Sequence, residues 1–273
     1  MHERAPTPPE LVDAGRVAAA RVVDALAALP AADLAAPSRL PGWSRLTVAC
    51  HLRYGGRASR RMTDDALAGR VTEFYPGGRD HLRPATLRPE PGESPADVVR
   101  SLALECDRSI ESWGRVPTAA WRTVVREPTD RPDLGPIDLA TLALLRLTEL
   151  EVHGRDLDIG TDGWSTTFVS AALPLRLAGL HRQRRVGADH PLVGRSWALR
   201  PDGAEARLVT LRARDVVVAP LDPAGGPPRP EATIAGAPAD LLALLLGRPG
   251  RAPLRTQGDP AVAAAFTEAF GGP

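Results

Sequence analysis

Apolar side chains recur at three- and four-residue steps through the first part of the chain and in short runs bounded by Gly, Pro and Asp from Pro191 onward. The two parts therefore obey different periodicities, helical and then strand-like. Leu11, Ala14, Ala18, Val22, Leu26 and Leu29 predict an amphipathic helix over 10–29, led in by Pro8 and Pro9 and closed by Pro30. A loop over 30–41 ends in the turn Pro41-Gly42, and Ser44 is placed to cap a second helix running from Arg45 to about Gly69. Residues 71–92, rich in Gly, Pro, Arg and aromatics, show no sustained period and read as an ordered crossover loop. Ser94 and Pro95 open a third helix whose buried stripe is Val99, Leu102, Cys106, Ile110 and Trp113. A proline-rich connector over 117–136 then leads to a fourth helix over 138–160.

A further helix is expected over 167–185, with the run HRQRR as its solvated, dipole-favoured end. After Pro191 the segments SWALR, RLVTLRA, DVVVAPL and EATIAG read as strands. An apolar helix over 237–246 stopped by Gly247, a last strand LRTQG and a closing helix over 260–270 complete the chain. The fold class is α+β: a helical domain over 1–165 and a smaller mixed α/β domain over 166–273. No internal repeat, phosphate-binding glycine loop or G-x-S-x-G motif occurs.

Composition narrows the function classes. The 34 basic residues are all arginine and face 33 acids, a net charge of +1 that sets up no global field for nucleic acid or an anionic membrane. Lysine and asparagine are absent while Ala, Arg, Pro, Gly, Leu and Val abound, the bias of a GC-rich genome. Cys50 and Cys106 lie apart in apolar helical contexts and read as reduced core residues. MHERAPTPPE lacks the apolar run of a signal peptide and no stretch reaches membrane-span length, so a cytoplasmic protein is expected.

The fourth helix carries the candidate chemistry. Helical spacing puts Leu142, Leu145, Glu149, His153 and Asp156 on one stripe, which begins apolar and turns into carboxylate, imidazole, carboxylate. Two arrangements satisfy the Glu149–His153 pair: an intrahelical hydrogen bond on a half-buried face, or joint ligation of one metal ion. An i, i+4 pair supplies only two ligands, so a third decides between them. His51, flanked by Val48, Cys50 and Leu52, is either a satisfied core histidine or that third ligand, because facing helices of an antiparallel bundle bring side chains together in the core.

PGWSRLTVACHL on the second helix, ELEVHGRDL on the fourth, and ATIAGAPADLLALLLGR followed by QGD near the C-terminus closely resemble the mycothiol-dependent maleylpyruvate isomerase family. The likeness extends over nearly the whole chain. It implies a DinB-like antiparallel four-helix bundle followed by a sterol-carrier-like α/β domain, and a divalent ion, normally zinc, on His51, Glu149 and His153. The family often has a second histidine in the P-G-W stretch where this chain has Thr47, a departure that touches no ligand. The resemblance further implies mycothiol as thiol cosubstrate, activated as a metal-bound thiolate against an electrophilic small molecule, with S-transfer or isomerisation as the outcome. The GC-rich bias agrees with an actinobacterial source of that thiol.

Around this centre, Asp156 either orients His153, binds the thiol or stands exposed at the helix end. Arg79 in YPGGRD resembles a substrate-contacting arginine of the family and suits a carboxylate, and Arg248 resembles a second one, with a helix-capping role as the alternative. Two other classes stay open at this point: a metal-dependent hydrolase using zinc-bound water, and a lipid or small-molecule carrier with the LLALLLG helix lining its pocket.

Overall fold

Two prolines in the first turn and a Thr7–Glu10 capping box start α1 (Pro8–Ala27) in the computed structural model, which describes residues 4–130, 132–221 and 229–272. A short helix α2 (Ala31–Ala35) follows within the segment read as a loop. Next comes α3 (Arg45–Leu67), whose first turn is closed by Thr47 N–H donating to Ser44 Oγ at 3.1 Å. The crossover is likewise not all loop: it contains α4 (Arg79–Thr86), with Pro84 inside it. Two turns of helix interrupted by proline are too short to register as a 3.6-residue period, and Gly77 and Gly78, at φ 81° and 104°, steer the chain into it. Ser94 and Asp97 form the capping box of α5 (Pro95–Gly114), and its expected stripe from Val99 to Trp113 is buried.

The connector beyond α5 holds a 3-10 turn (Thr118–Arg122) and a two-stranded ribbon of β1 (Val124–Val125) with β2 (Ile137–Asp138). Asp138 then caps α6 (Leu139–Asp156), accepting from Thr141 N–H at 2.8 Å. The helix stops at Asp156 rather than continuing to 160, because Asp158 adopts φ 58° and Gly160 φ 80°. α1 packs on α5 and α6, and α3 on the same two, which closes a four-helix bundle. α6 is apolar almost all round and is buried accordingly, carrying Arg146, Glu151, Arg155 and Asp156 into the interior with it. Where α6 crosses α1, a Cβ on Gly154 would meet Val22 Cγ2 at 2.9 Å, so glycine sets the closeness of that crossing.

The chain divides into two compact units, Pro6–Phe168 and Val169 onward. α7 (Thr166–Ala178) is shorter than the helix expected over 167–185 and gives way to a 3-10 turn (Leu180–Gln183). HRQRR is therefore not the end of that helix: His181, Arg182 and Arg185 are exposed as expected, but Arg184 donates to the carbonyls of Val186, Gly187 and Arg212, and Arg185 to that of Gly272.

Five strands follow where the short runs between turn residues predict them: β3 (Ser196–Pro201), β4 (Arg207–Leu211), β5 (Val216–Pro220), β6 (Ala232–Gly236) and β7 (Arg255–Gly258). They order β5-β4-β3-β6-β7, with β3 and β6 parallel and every other pair antiparallel. α8 (Pro238–Leu245) and α9 (Pro260–Ala269) pack on β3 and β6. Trp197, Phe266 and Phe270 form the aromatic centre of this unit. Leu241, Leu242, Leu245 and Leu246 are no more than 1% exposed, which makes the LLALLLG helix part of the core. Among the described residues no helix is long and apolar enough to cross a membrane.

Candidate metal centre

His51 stands two turns into α3 and Glu149 and His153 one turn apart on α6, so the packing of α3 against α6 brings the three side chains together. Their ligand atoms lie within 4.8 Å of one another. His51 Nε2 is 2.7 Å from Glu149 Oε2, and His153 Nε2 is 3.4 Å from the same oxygen. Both readings of the helical pair are thus compatible with a third donor that only the tertiary fold supplies.

A tetrahedral ion with bonds of about 2.0–2.1 Å separates its donors by about 3.3 Å. The His153–Glu149 distance already has that value; the His51–Glu149 contact would have to open and the third separation, within 4.8 Å, to close toward it. Two imidazoles and one carboxylate suit zinc and leave the fourth position of the ion to a non-protein ligand. The donor set therefore fits a catalytic type of metal site.

The surroundings orient these donors. His153 Nδ1–H donates to Asp156 Oδ2 at 2.9 Å, and Asp156 is 2% exposed, so this acid is turned inward rather than standing free at the helix end. That bond holds a proton on Nδ1 and turns Nε2 toward Glu149. Trp43 of the P-G-W motif walls the opposite side, stacked on His153 at 6.4 Å and edge-on to His51 at 5.5 Å. Burial alone would raise the Glu149 carboxyl, but its bonds from His153 and His51 outweigh that and hold it well below the usual carboxylate range. Burial would lower the His153 imidazolium, yet Asp156 and then Glu149 push it up to about 9. The Glu149 side chain is 39% exposed, as befits a group lining a partly open cavity.

That cavity measures about 170 Å³ and is lined by His51 and Glu149, by Tyr75, Leu142 and Leu145, and by Arg79, Arg83 and Arg146. A second, about 470 Å³, adjoins it through Arg79 and Arg83 and includes Trp43, Thr47, Asp80 and Arg88. Arg79 thus shares the cavity with His51 and Glu149, with its guanidinium 5.8 Å from the Tyr75 ring. Arg83, one turn further along α4, sits 5.6 Å over Trp43. Its role was hidden in the sequence because the i, i+4 spacing to Arg79 carries meaning only once α4 is known to be a helix. Arg146 was hidden differently: it lies three residues before Glu149, and an arginine inside LALLRLTEL was the signal. Arg248, in the second unit, donates from Nη1 to the Leu246 carbonyl at 3.1 Å, beyond the end of α8.

The bundle thus carries a His-Glu-His cluster that could hold a metal ion at the wall of a cavity. Residues 15–158 match the family model of the mycothiol maleylpyruvate isomerase N-terminal domain, and the chain belongs to that family. Among solved structures, the mycothiol-dependent maleylpyruvate isomerase is similar at 15% identity with a TM-score of 0.67, covering 92% of this chain and 93% of that one. A histidine-to-alanine mutant of it is similar at 15% identity, the same coverage and a TM-score of 0.65. These likenesses show that both units share the fold of that enzyme. None of the curated proteins matches significantly.

Proposed function

We propose that this protein is a metal-dependent enzyme that brings mycothiol to a small electrophile, with one divalent ion, zinc first among candidates, on His51, Glu149 and His153. The observation that carries the reading is the convergence of those three donors at the wall of a cavity. When bound, the ion supplies the Lewis acidity that converts a coordinating thiol into its thiolate near neutral pH. Asp156 keeps the proton of His153 on Nδ1, so that Nε2 stays available as a ligand. Trp43 shields one side of both imidazoles from water. Arg79 and Arg83 give the cavity a cationic wall for an acidic group on the electrophile or the thiol.

S-transfer and cis/trans isomerisation both begin with a bond from sulfur to the electrophilic carbon. The names of the family and of its solved members support the isomerase outcome. A thiol kept reduced is the condition of either reaction, which supports a cytoplasmic location.

The test is turnover of maleylpyruvate by the full chain after chelation and after reconstitution with zinc, with and without mycothiol. Activity that needs both additions supports the proposal, and Arg79→Ala should then raise the KM of the electrophile about tenfold. Turnover indifferent to thiol would point instead to a hydrolase, and failure to bind stoichiometric metal would sink the assignment of the ligands.

A further inference from the structure

Arg146 is 2% exposed, yet among the described residues no carboxylate lies within ion-pair distance of it. Its Nη1 donates to the Leu52 carbonyl at 2.8 Å and its Nη2 to the Cys106 sulfur, a weak acceptor, at 3.3 Å. The Nε–H is buried and has no partner. A charged group so placed is strongly disfavoured unless something opposite in charge reaches it.

The fold nevertheless makes room for this guanidinium. A Cβ on Gly55 would stand 3.1 Å from Nη1, and one on Gly56 3.1 Å from Nη2, so consecutive glycines of α3 form the slot in which it lies. Arg146 also lines the cavity that holds Glu149, one turn along the same helix. The Glu149 carboxylate is already engaged by both imidazoles, and the other acid of the wall, Asp133, accepts from Tyr75 N–H. Arg79 and Arg83 add two further positive charges to the same small space.

We infer that Arg146 is a buried anion anchor: it takes a carboxylate or comparable acidic group of the small molecule that enters this cavity, and thereby selects acidic over neutral electrophiles. The inference rests on the reading of the cavity as the electrophile's site, but not on the metal or the thiol. Deep placement distinguishes this anchor from Arg79 and Arg83 on α4. A guanidinium held in a glycine slot is fixed before the ligand arrives, which favours one orientation of the acid.

Calorimetric binding of pyruvate and of its uncharged methyl ester tests the idea on the full chain, both metal-free and zinc-loaded. Pyruvate should bind and the ester should bind at least tenfold more weakly, and Arg146→Met should weaken pyruvate by tenfold or more in both metal states. Arg146→Lys, which keeps the charge, should recover part of that loss. In the unmutated protein the Arg146 Nε–H resonance should shift with pyruvate and stay still with the ester, a readout that needs no variant to fold. Equal binding of acid and ester, an unmoved resonance, or an Arg146→Met protein with lower melting temperature and unchanged pyruvate affinity would overturn the inference. Loss of zinc binding or of thiol-dependent turnover, with pyruvate selectivity intact, would instead count against the proposed function alone.

Discussion

Asp156→Asn isolates what an acid behind a proposed metal ligand contributes. The wild-type pair is short at 2.9 Å and lies deep, with side-chain exposures of 15% for His153 and 2% for Asp156, so solvent screens it weakly. Asparagine keeps the shape and a carbonyl oxygen that still accepts from His153 Nδ1–H; what it loses is the charge that makes the imidazole a stronger donor. Removing such an outer partner weakens metal affinity about 10- to 100-fold, or about 1.4–2.8 kcal/mol. Because the hydrogen bond survives, the Asn variant belongs near the lower value, whereas Asp156→Ala, which loses bond and charge together, belongs near the upper. Competition against a chromophoric zinc chelator measures both, with melting temperatures recorded alongside. Wild-type zinc affinity in two folded variants would refute the role assigned to Asp156, and a lower melting temperature with unchanged affinity would make it a structural acid of the helix end.

Three other outcomes are expected. Gly154→Ala forces a methyl into Val22, a fully buried, β-branched neighbour, and should destabilise the bundle by about 1–3 kcal/mol in urea unfolding; no change would mean that the α1–α6 crossing is looser than described. The Arg53 guanidinium donates to Glu93 at 2.7 and 2.8 Å and holds that carboxyl below its ordinary range. Its contribution is present above the unfolded carboxylate pKa of about 4.3 and is lost as pH falls through the lower folded value. Glu93→Gln should therefore cost about 1–2 kcal/mol at pH 7 and flatten the stability profile between about pH 5 and pH 3, whereas a parallel profile would contradict the linkage. Arg248→Ala separates two roles: at least tenfold lower kcat/KM marks a ligand contact, while a lower melting temperature with full activity marks a structural role such as its bond to Leu246 O.

The major elements were legible because each has a local cause. Ser44 and Ser94 cap α3 and α5 through their own side chains, the buried stripe of α5 recurs with helical spacing, and the strands β3 to β7 are short runs set off by turn residues. The Glu149–His153 pair was visible for the same reason, as neighbours on one turn. Short-range rules failed where position depends on what packs from elsewhere. α4 is a two-turn helix in a stretch dominated by Gly, Pro and Arg, and its place beside the site gives Arg79 and Arg83 a common cavity.

What the sequence by itself determined is therefore the periodic helices and strands, the capped ends and the chemistry available on each face. What only the tertiary structure decided is which faces meet. His51 becomes the companion of Glu149 and His153 because α3 packs on α6, and Arg146 becomes a buried charge beside them because Gly55 and Gly56 leave it a slot. Neither relation exists along the chain, where about a hundred residues separate the partners (|i−j| = 98 for His51 and Glu149). Local propensity acts over a few residues, whereas burial and pairing across such a distance are set by the packing of the whole bundle.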